Sequence, residues 1–246
     1  MSVKTILVSQ PKPASEKSPY FDLAEKYKLK IDFRPFINVV GVSAREFRAQ
    51  KIDLGLHTAV LLTSKTSVDN FFRIAEETRY KVPESMKYFC ISEAIAYYLQ
   101  KYVVYRKRKI FFGKQNIYDL VDLLKKHKNE RFLLPCSDIL RQNIPDTLEE
   151  NKINFTKAVL YRTVAADLSD LEDVKYDLLV FFSPSGIESL LKNFPGFKQN
   201  KTKIAAFGPT TANAVKKNNL RLDIHAPQPK TPSMTMAIEH YIKSKK

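Results

Sequence analysis

Short apolar runs alternate with longer amphipathic segments along the whole chain, which is the pattern of strands alternating with helices in an α/β protein. The runs predict strands at 4–9, 31–39, 57–63, 87–91, 110–113, 131–135, 155–163, 177–182, 203–207 and 221–225. Helices fill the intervals. Gly208-Pro209 opens a helix over 209–218, with proline where a missing N–H costs nothing. Ser183-Pro184 repeats the signal: Ser183 is the expected N-cap, and Ile187, Leu190 and Leu191 fall at i, i+3 and i+4 on one buried face.

Self-comparison shows a duplicated plan. Lys30-Ile31-Asp32-Phe33 recurs as Lys152-Ile153-Asn154-Phe155, an offset of 152 − 30 = 122. Ser64-Lys65-Thr66-Ser67-Val68 resembles Ser183-Pro184-Ser185-Gly186-Ile187, an offset of 183 − 64 = 119. Ile91-Ser92-Glu93-Ala94 pairs with Phe207-Gly208-Pro209-Thr210, an offset of 207 − 91 = 116. These periods approach half the chain and far exceed the roughly 20 to 50 residues of solenoid repeats, so they predict two similar lobes. Two α/β lobes predict a cleft, with ligands beyond the carboxyl ends of the strands.

Composition narrows the class. The 246 residues carry 41 Lys+Arg against 26 Asp+Glu, a net charge of 41 − 26 = +15, and 16 Phe and 12 Tyr supply core material. Collagen-like, coiled-coil, disordered and disulfide-stapled classes are excluded. Cys90 and Cys136 lie far apart in sequence and form no CxxC pair, so a reducing cytoplasm is expected rather than a disulfide framework. No run approaches the roughly 18 apolar residues of a membrane span, and the N-terminus lacks a signal-peptide core. The charge calls for an anionic partner. Its densest clusters are Arg106-Lys107-Arg108-Lys109, beside Lys101 and Lys114, and Lys125, Lys126, Lys128 and Arg131. No nucleic-acid-binding motif accompanies them, which ranks nucleic acid second among the admissible partners.

Familiar catalytic motifs are missing. His57, His127, His225 and His240 show no metal-ligand spacing, Ser185 lies in no nucleophile elbow, and neither a dinucleotide fingerprint nor a P-loop occurs. A cofactor-free protein follows as the simplest expectation. What remains are small, hydroxyl-rich strand-to-helix turns: Thr63-Ser64-Lys65-Thr66, Cys90-Ile91-Ser92-Glu93, Pro135-Cys136-Ser137-Asp138, Phe182-Ser183-Pro184-Ser185-Gly186 and Phe207-Gly208-Pro209-Thr210-Thr211. The N–H groups of a helix's first turn, helped by its dipole and by hydroxyls, receive carboxylate or phosphate without a charged side chain.

The ordered set Phe181-Phe182-Ser183-Pro184-Ser185-Gly186, then Lys203-Ile204-Ala205-Ala206-Phe207-Gly208-Pro209-Thr210-Thr211-Ala212, then Pro229 and Pro232-Ser233 before a last helix, resembles uroporphyrinogen-III synthases. Leu133-Leu134-Pro135-Cys136-Ser137, Ile144-Pro145, Leu148 and Val159-Leu160-Tyr161-Arg162-Thr163-Val164 fit the same family, so the resemblance covers the chain from about 131 to its end.

The resemblance implies two similar three-layer α/β lobes with mostly parallel sheets, joined by two antiparallel strands. The crossing strands would be about 31–39 and 155–163, lobe one 1–37 plus 166–246, and lobe two 38–165. It implies a cytoplasmic, cofactor-free lyase that dehydrates and cyclises hydroxymethylbilane with inversion of the last pyrrole. The expected partner is that polycarboxylate tetrapyrrole, with no membrane; the alternative reading is a non-catalytic or divergent relative that binds an anionic tetrapyrrole or nucleic acid, and the expected state is a monomer. Tyr161 matches the family's candidate for assisting departure of the hydroxyl. Gly208, Thr210 and Thr211 match its Gly-Pro-Thr-Thr turn, while Ser64, Ser183, Ser185, Gly186 and Lys203 match cleft positions. At the equivalent turn in lobe two the family's glycine and threonine are replaced by Ser92 and Ile95.

Overall fold

The computed structural model describes residues 3–140, 142–172 and 175–244. The chain forms two compact units, Met1–Asn38 with Val164–Lys246, and Val39–Thr163.

The first unit contains β1 (Thr5–Val8), α1 (Pro19–Tyr27), β2 (Lys30–Phe33), β9 (Leu178–Phe181), α7 (Pro184–Asn193), β10 (Lys203–Phe207), α8 (Pro209–Lys217), β11 (Ile224–Ala226) and α9 (Met234–Ser244). Its sheet has the order β11-β10-β9-β1-β2 with parallel pairing throughout. Central strand β9 is apolar at every position because both its faces are covered. Leu178 and Val180 pack with Ile6, Val8 and Ile238, while Leu179 and Phe181 pack with Leu7, Ile187 and Val215.

The second unit contains β3 (Ile37–Gly41), α2 (Ala44–Ala49), β4 (Ala59–Leu62), α3 (Lys65–Glu77), β5 (Lys87–Cys90), α4 (Glu93–Leu99), β6 (Ile110–Phe112), α5 (Val121–Lys126), β7 (Phe132–Ser137), α6 (Asn143–Glu150) and β8 (Phe155–Ala165). Its sheet has the order β3-β8-β7-β4-β5-β6. Val60 and Leu62 of β4 face one core cluster, and Ala59 and Leu61 face the other.

The sequence repeat is a repeat of plan. Taken from one edge, β11-β10-β9-β1-β2 corresponds to β6-β5-β4-β7-β8, with β3 added beside β8. Caps Ser183 and Ser64, and caps Gly208 and Ser92, keep the offsets of 119 and 116 read from the letters. The first match is slipped by two residues. Lys28 and Lys152 hold φ of 54° after their helices, and the next amides, of Leu29 and Ile153, return 2.9 Å bonds to Ala24 and Leu148. The structural offset is therefore 152 − 28 = 124.

One predicted strand divides. Segment 31–39 is not continuous, because β2 and β3 belong to different sheets and Arg34-Pro35-Phe36 separates them. Pro35 has no N–H for a ladder. Arg34 grips the Asp170 carboxylate through two 3.0 Å bonds and donates to Asp167 O at 2.8 Å. Phe36 is buried edge-on against Phe181, with ring centroids 5.5 Å apart. The crossing element is thus β3, and β8 beside it extends to Ala165. Ala166 N–H donates to Phe36 O and Val42 N–H to Leu160 O, a reciprocal register that makes this pair antiparallel.

The strand carrying Tyr161 is anchored at the following residue. Arg162 donates to Glu46 Oε1 at 2.7 Å, while Glu46 Oε2 accepts the Ser43 N–H at 3.0 Å and the Ser43 hydroxyl at 2.8 Å, closing a capping box at the start of α2. These bonds, those from Ser43 foremost, lower the Glu46 pKa from 4.5 to about 2. A depressed carboxylate contributes stability above its ordinary pKa and loses it as pH falls through the folded value. The Ser43 amide shift is therefore expected to follow an NMR titration with a midpoint near 2; a midpoint at 4.5 would mean the box does not form in solution.

Candidate active site

In a parallel sheet every strand points the same way, so the turns after the strands gather at one edge. In the second unit this carboxyl edge carries Tyr161 on β8, Ser137 at the end of β7 with Asp138 after it, Ser64 after β4 and Ser92 after β5.

Ser64 caps α3 in a reciprocal box. Its Oγ accepts the Ser67 N–H at 3.0 Å, and Ser67 Oγ accepts the Ser64 N–H at 3.1 Å. The same Ser64 Oγ lies 3.4 Å from the Tyr161 phenolic oxygen, and either oxygen can donate. Tyr161 is buried at 9% exposure in the core cluster that includes Val60, Leu62 and Leu160. Burial raises its pKa, and the Ser64 contact only partly offsets this. The phenol is therefore a proton-bearing donor at neutral pH.

The neighbouring turn departs from this pattern. Ser92 makes no side-chain cap bond, Glu93 is exposed in the first turn of α4, and Ile95 is buried at 7%. Ile95 fills core volume. Asp138, which sequence reasoning assigned no role, has Oδ1 occupied by Ser137 Oγ at 2.7 Å and by the N–H groups of Ile139 and Thr163 at 3.0 and 3.2 Å. Burial works against its ionisation, but these bonds prevail and its pKa is lowered. It ties the end of β7 to β8 as a fixed acceptor.

In the first unit the carboxyl edge carries Ser9 after β1, Ser183 after β9 and Gly208 after β10. Ser183 Oγ accepts the Gly186 N–H at 3.2 Å, with Pro184 in the first turn. Gly186 is buried where a Cβ would lie 3.3 Å from the Phe181 ring and 3.7 Å from the hydroxyls of Ser183 and Ser9, so the three residues converge. Ser185 is half-buried in the same turn. Ser9 was missed in the sequence, although it ends β1 as Ser137 ends the corresponding β7. Gly208 sits at φ 82°, ψ 154°, a region open essentially only to glycine, and its N–H donates to Ala226 O at 2.6 Å.

Two of the expected site residues lie apart from these turns' exposed faces. Thr211 is buried at 1% on the inner side of α8, and it is Thr210 that is exposed. Lys203 begins β10, at the amino edge opposite Gly208, where its Nζ lies 3.7 Å from Asp223. The structure brings together Tyr161 and Ser64 in one unit, and Ser183, Ser185 and Gly186 in the other, with Gly208 and Thr210 on the next strand's turn. Lys203 does not join them. Among the described residues no group of three or more His, Cys, Asp or Glu could hold a metal ion, and no helix is long and apolar enough to cross a membrane.

The family model described as Uroporphyrinogen-III synthase HemD matches residues 19–236. The chain belongs to the uroporphyrinogen-III synthase family. It is 24% identical over 258 residues to the uroporphyrinogen-III synthase of Chlorobaculum parvum, covering 98% of this chain and 100% of that protein. The synthase of Schizosaccharomyces pombe is 25% identical over 252 residues, with 96% of each chain covered. The crystal structure of uroporphyrinogen-III synthetase from Helicobacter pylori has a TM-score of 0.61 at 18% identity, covering 98% of this chain and 99% of that one. At that identity the likeness shows the fold alone.

Proposed function

We propose that this protein converts hydroxymethylbilane to uroporphyrinogen III, eliminating the terminal hydroxyl as water and closing the ring with inversion of the last pyrrole. Family membership over residues 19–236 carries the reading, and the pairing of buried Tyr161 with half-buried Ser64 at a sheet's carboxyl edge supports it. The carbinol ionises and cyclises unaided, so the protein's task is to favour the inverted closure over the direct one. Substrate carboxylates fit the first-turn N–H groups behind Ser64, Ser183 and Gly208, with Ser185, Gly186 and Thr210 beside them. The excess of 15 positive charges draws the polyanion in. Tyr161, neutral and fixed, donates a hydrogen bond to the departing oxygen, which leaves as water with a proton returned when the closing pyrrole carbon loses its own. No group beyond the chain's own residues is required by this scheme, and we assign the activity to a cytoplasmic monomer, in keeping with two buried free thiols.

The test generates hydroxymethylbilane in situ, adds the protein, oxidises the products and resolves the type I and type III porphyrins. Excess type III is expected. Type I alone, the product of unaided closure, would favour the second reading, a non-catalytic relative that binds an anionic tetrapyrrole. The uncapped Ser92 turn and the buried Ile95 are the observations that speak for that reading.

A further inference from the structure

Residues 94–118 contain no Asp or Glu and six cations, Lys101, Arg106, Lys107, Arg108, Lys109 and Lys114. Five of the six stand in a nine-residue stretch interleaved with Tyr102, Val103, Val104 and Tyr105. The stretch leads into the start of β6, so it lies at the amino edge of the second unit's sheet, opposite the edge of Ser64 and Tyr161.

The structure leaves much of this chemistry unspent. Lys107 and Arg108 are exposed, and among the described residues neither has an ion-pair partner. Arg106 reaches Glu84 at 3.3 Å, a pair exposed enough to exchange for another anion, and Lys109 Nζ donates to the Glu84 carbonyl. Tyr97, in the last turn of α4, is 76% exposed, Val104 79% and Tyr105 43%. Beneath the stretch is a cavity of about 580 Å³ lined by Phe72, Tyr88, Tyr102, Arg106 and Lys109 and also by the carboxylates of Asp69, Glu76 and Glu84, of which Asp69 is engaged by Tyr102 and Lys101 and Glu84 by Arg106. The Phe72 and Tyr102 rings stack face to face, with centroids 4.4 Å apart and planes within 2°.

A run of cations alone suits any polyanion. Exposed aromatic faces among the cations, beside a cavity whose wall includes four aromatic rings, suit a strand whose phosphates and unstacked bases alternate, the phosphates lying on the outer cations and away from the cavity's carboxylates. An anionic bilayer fits less well, because Val104 is the one aliphatic side chain exposed here that would enter it and the tyrosines are polar-tipped. We propose that residues 97–109, with this cavity, form a binding surface for single-stranded nucleic acid, separate from the tetrapyrrole site.

The experiment measures fluorescence anisotropy of a labelled single-stranded RNA of about twelve nucleotides with the full chain as salt is raised. Neutralising some four phosphates at Arg106–Lys109 gives a slope of log affinity against log salt near −3. The variant Lys107→Glu/Arg108→Glu is expected to lose at least tenfold in affinity and to flatten the slope by about 1.4. Tyr105→Ser is expected to weaken binding roughly tenfold without changing the slope, which mere charge attraction would not produce. Type III formation by the charge-reversed variant should stay at the wild-type level, so this proposal and the tetrapyrrole reading fail independently. Three results would overturn the surface: no binding at 50 mM salt, binding that survives the double reversal, or retention on phosphatidylserine vesicles with no affinity for the RNA.

Discussion

Tyr161→Phe is expected to lower the rate of type III formation by on the order of 10²-fold, at the lower end of what one positioned proton donor contributes. The lower end applies because the substrate loses its hydroxyl unaided, and the enzyme accelerates a step that already runs. The geometry supports a donor rather than a packing role. Ser64 Oγ already accepts the Ser67 N–H at 3.0 Å, so its own proton can point along the 3.4 Å vector to the Tyr161 oxygen. The phenol's proton is then left for a ligand. Removing a hydroxyl with one long contact costs no more than about 1 kcal/mol of stability, so Tm should hold while turnover falls. The pH profile separates the roles further. Burial raises the Tyr161 pKa above that of a free phenol, so the donor form is retained through neutral and mildly alkaline solution and no loss of rate from its ionisation is expected there. Type III formation within twofold of wild type in the phenylalanine variant would remove Tyr161 from the mechanism.

The parts that the residues announced are those governed by local rules or by burial on both faces. Strands such as β4 and β9, four apolar residues each with every side chain buried, are legible because a parallel sheet covered by helices leaves no position for a polar side chain. The cap at Ser183 was legible because serine followed by proline satisfies a first turn without help from elsewhere. The division of 31–39 depends on tertiary anchors: Arg34 turns the chain only because Asp167 and Asp170, distant in sequence, are there to hold it. Pro35 was nonetheless a visible warning. The burial of Thr211 was hidden for a different reason. Adjacent threonines on a helix start look alike in sequence, and only the packing of α8 turns Thr210 outward and Thr211 inward. Lys203 shows the value of strand direction, since a residue that precedes a parallel strand lies at the edge away from the turns that follow it. The bond by which Asp138 ties β7 to β8 was not legible locally, because its partner Thr163 lies 25 residues away.

Gly208→Ala is expected to damage both stability and binding, through the backbone alone. A Cβ at position 208 meets nothing within 4 Å, so no clash follows. The cost comes from φ 82° and ψ 154°, where a side chain strains the main chain by about 1 to 3 kcal/mol. For a chain of this length that corresponds to a fall in Tm of roughly 4 to 8 °C at about 2 kcal/mol. The chain can escape the strain only by rotating the peptide that carries the Gly208 N–H away from Ala226 O, now 2.6 Å distant. That rotation re-aims the start of α8, including the N–H groups of Thr210 and Thr211, which are proposed to face substrate carboxylates. KM for hydroxymethylbilane should therefore rise about tenfold, the value of one charge-assisted hydrogen bond, with a smaller change in kcat. Gly196→Ala serves as the control, because Gly196 also has open space around it and does not hold a positive φ. If both substitutions lowered Tm equally, the strain at Gly208 would not be the cause. If Gly208→Ala lowered Tm and left KM unchanged, the turn would brace β10 against β11 without meeting the substrate.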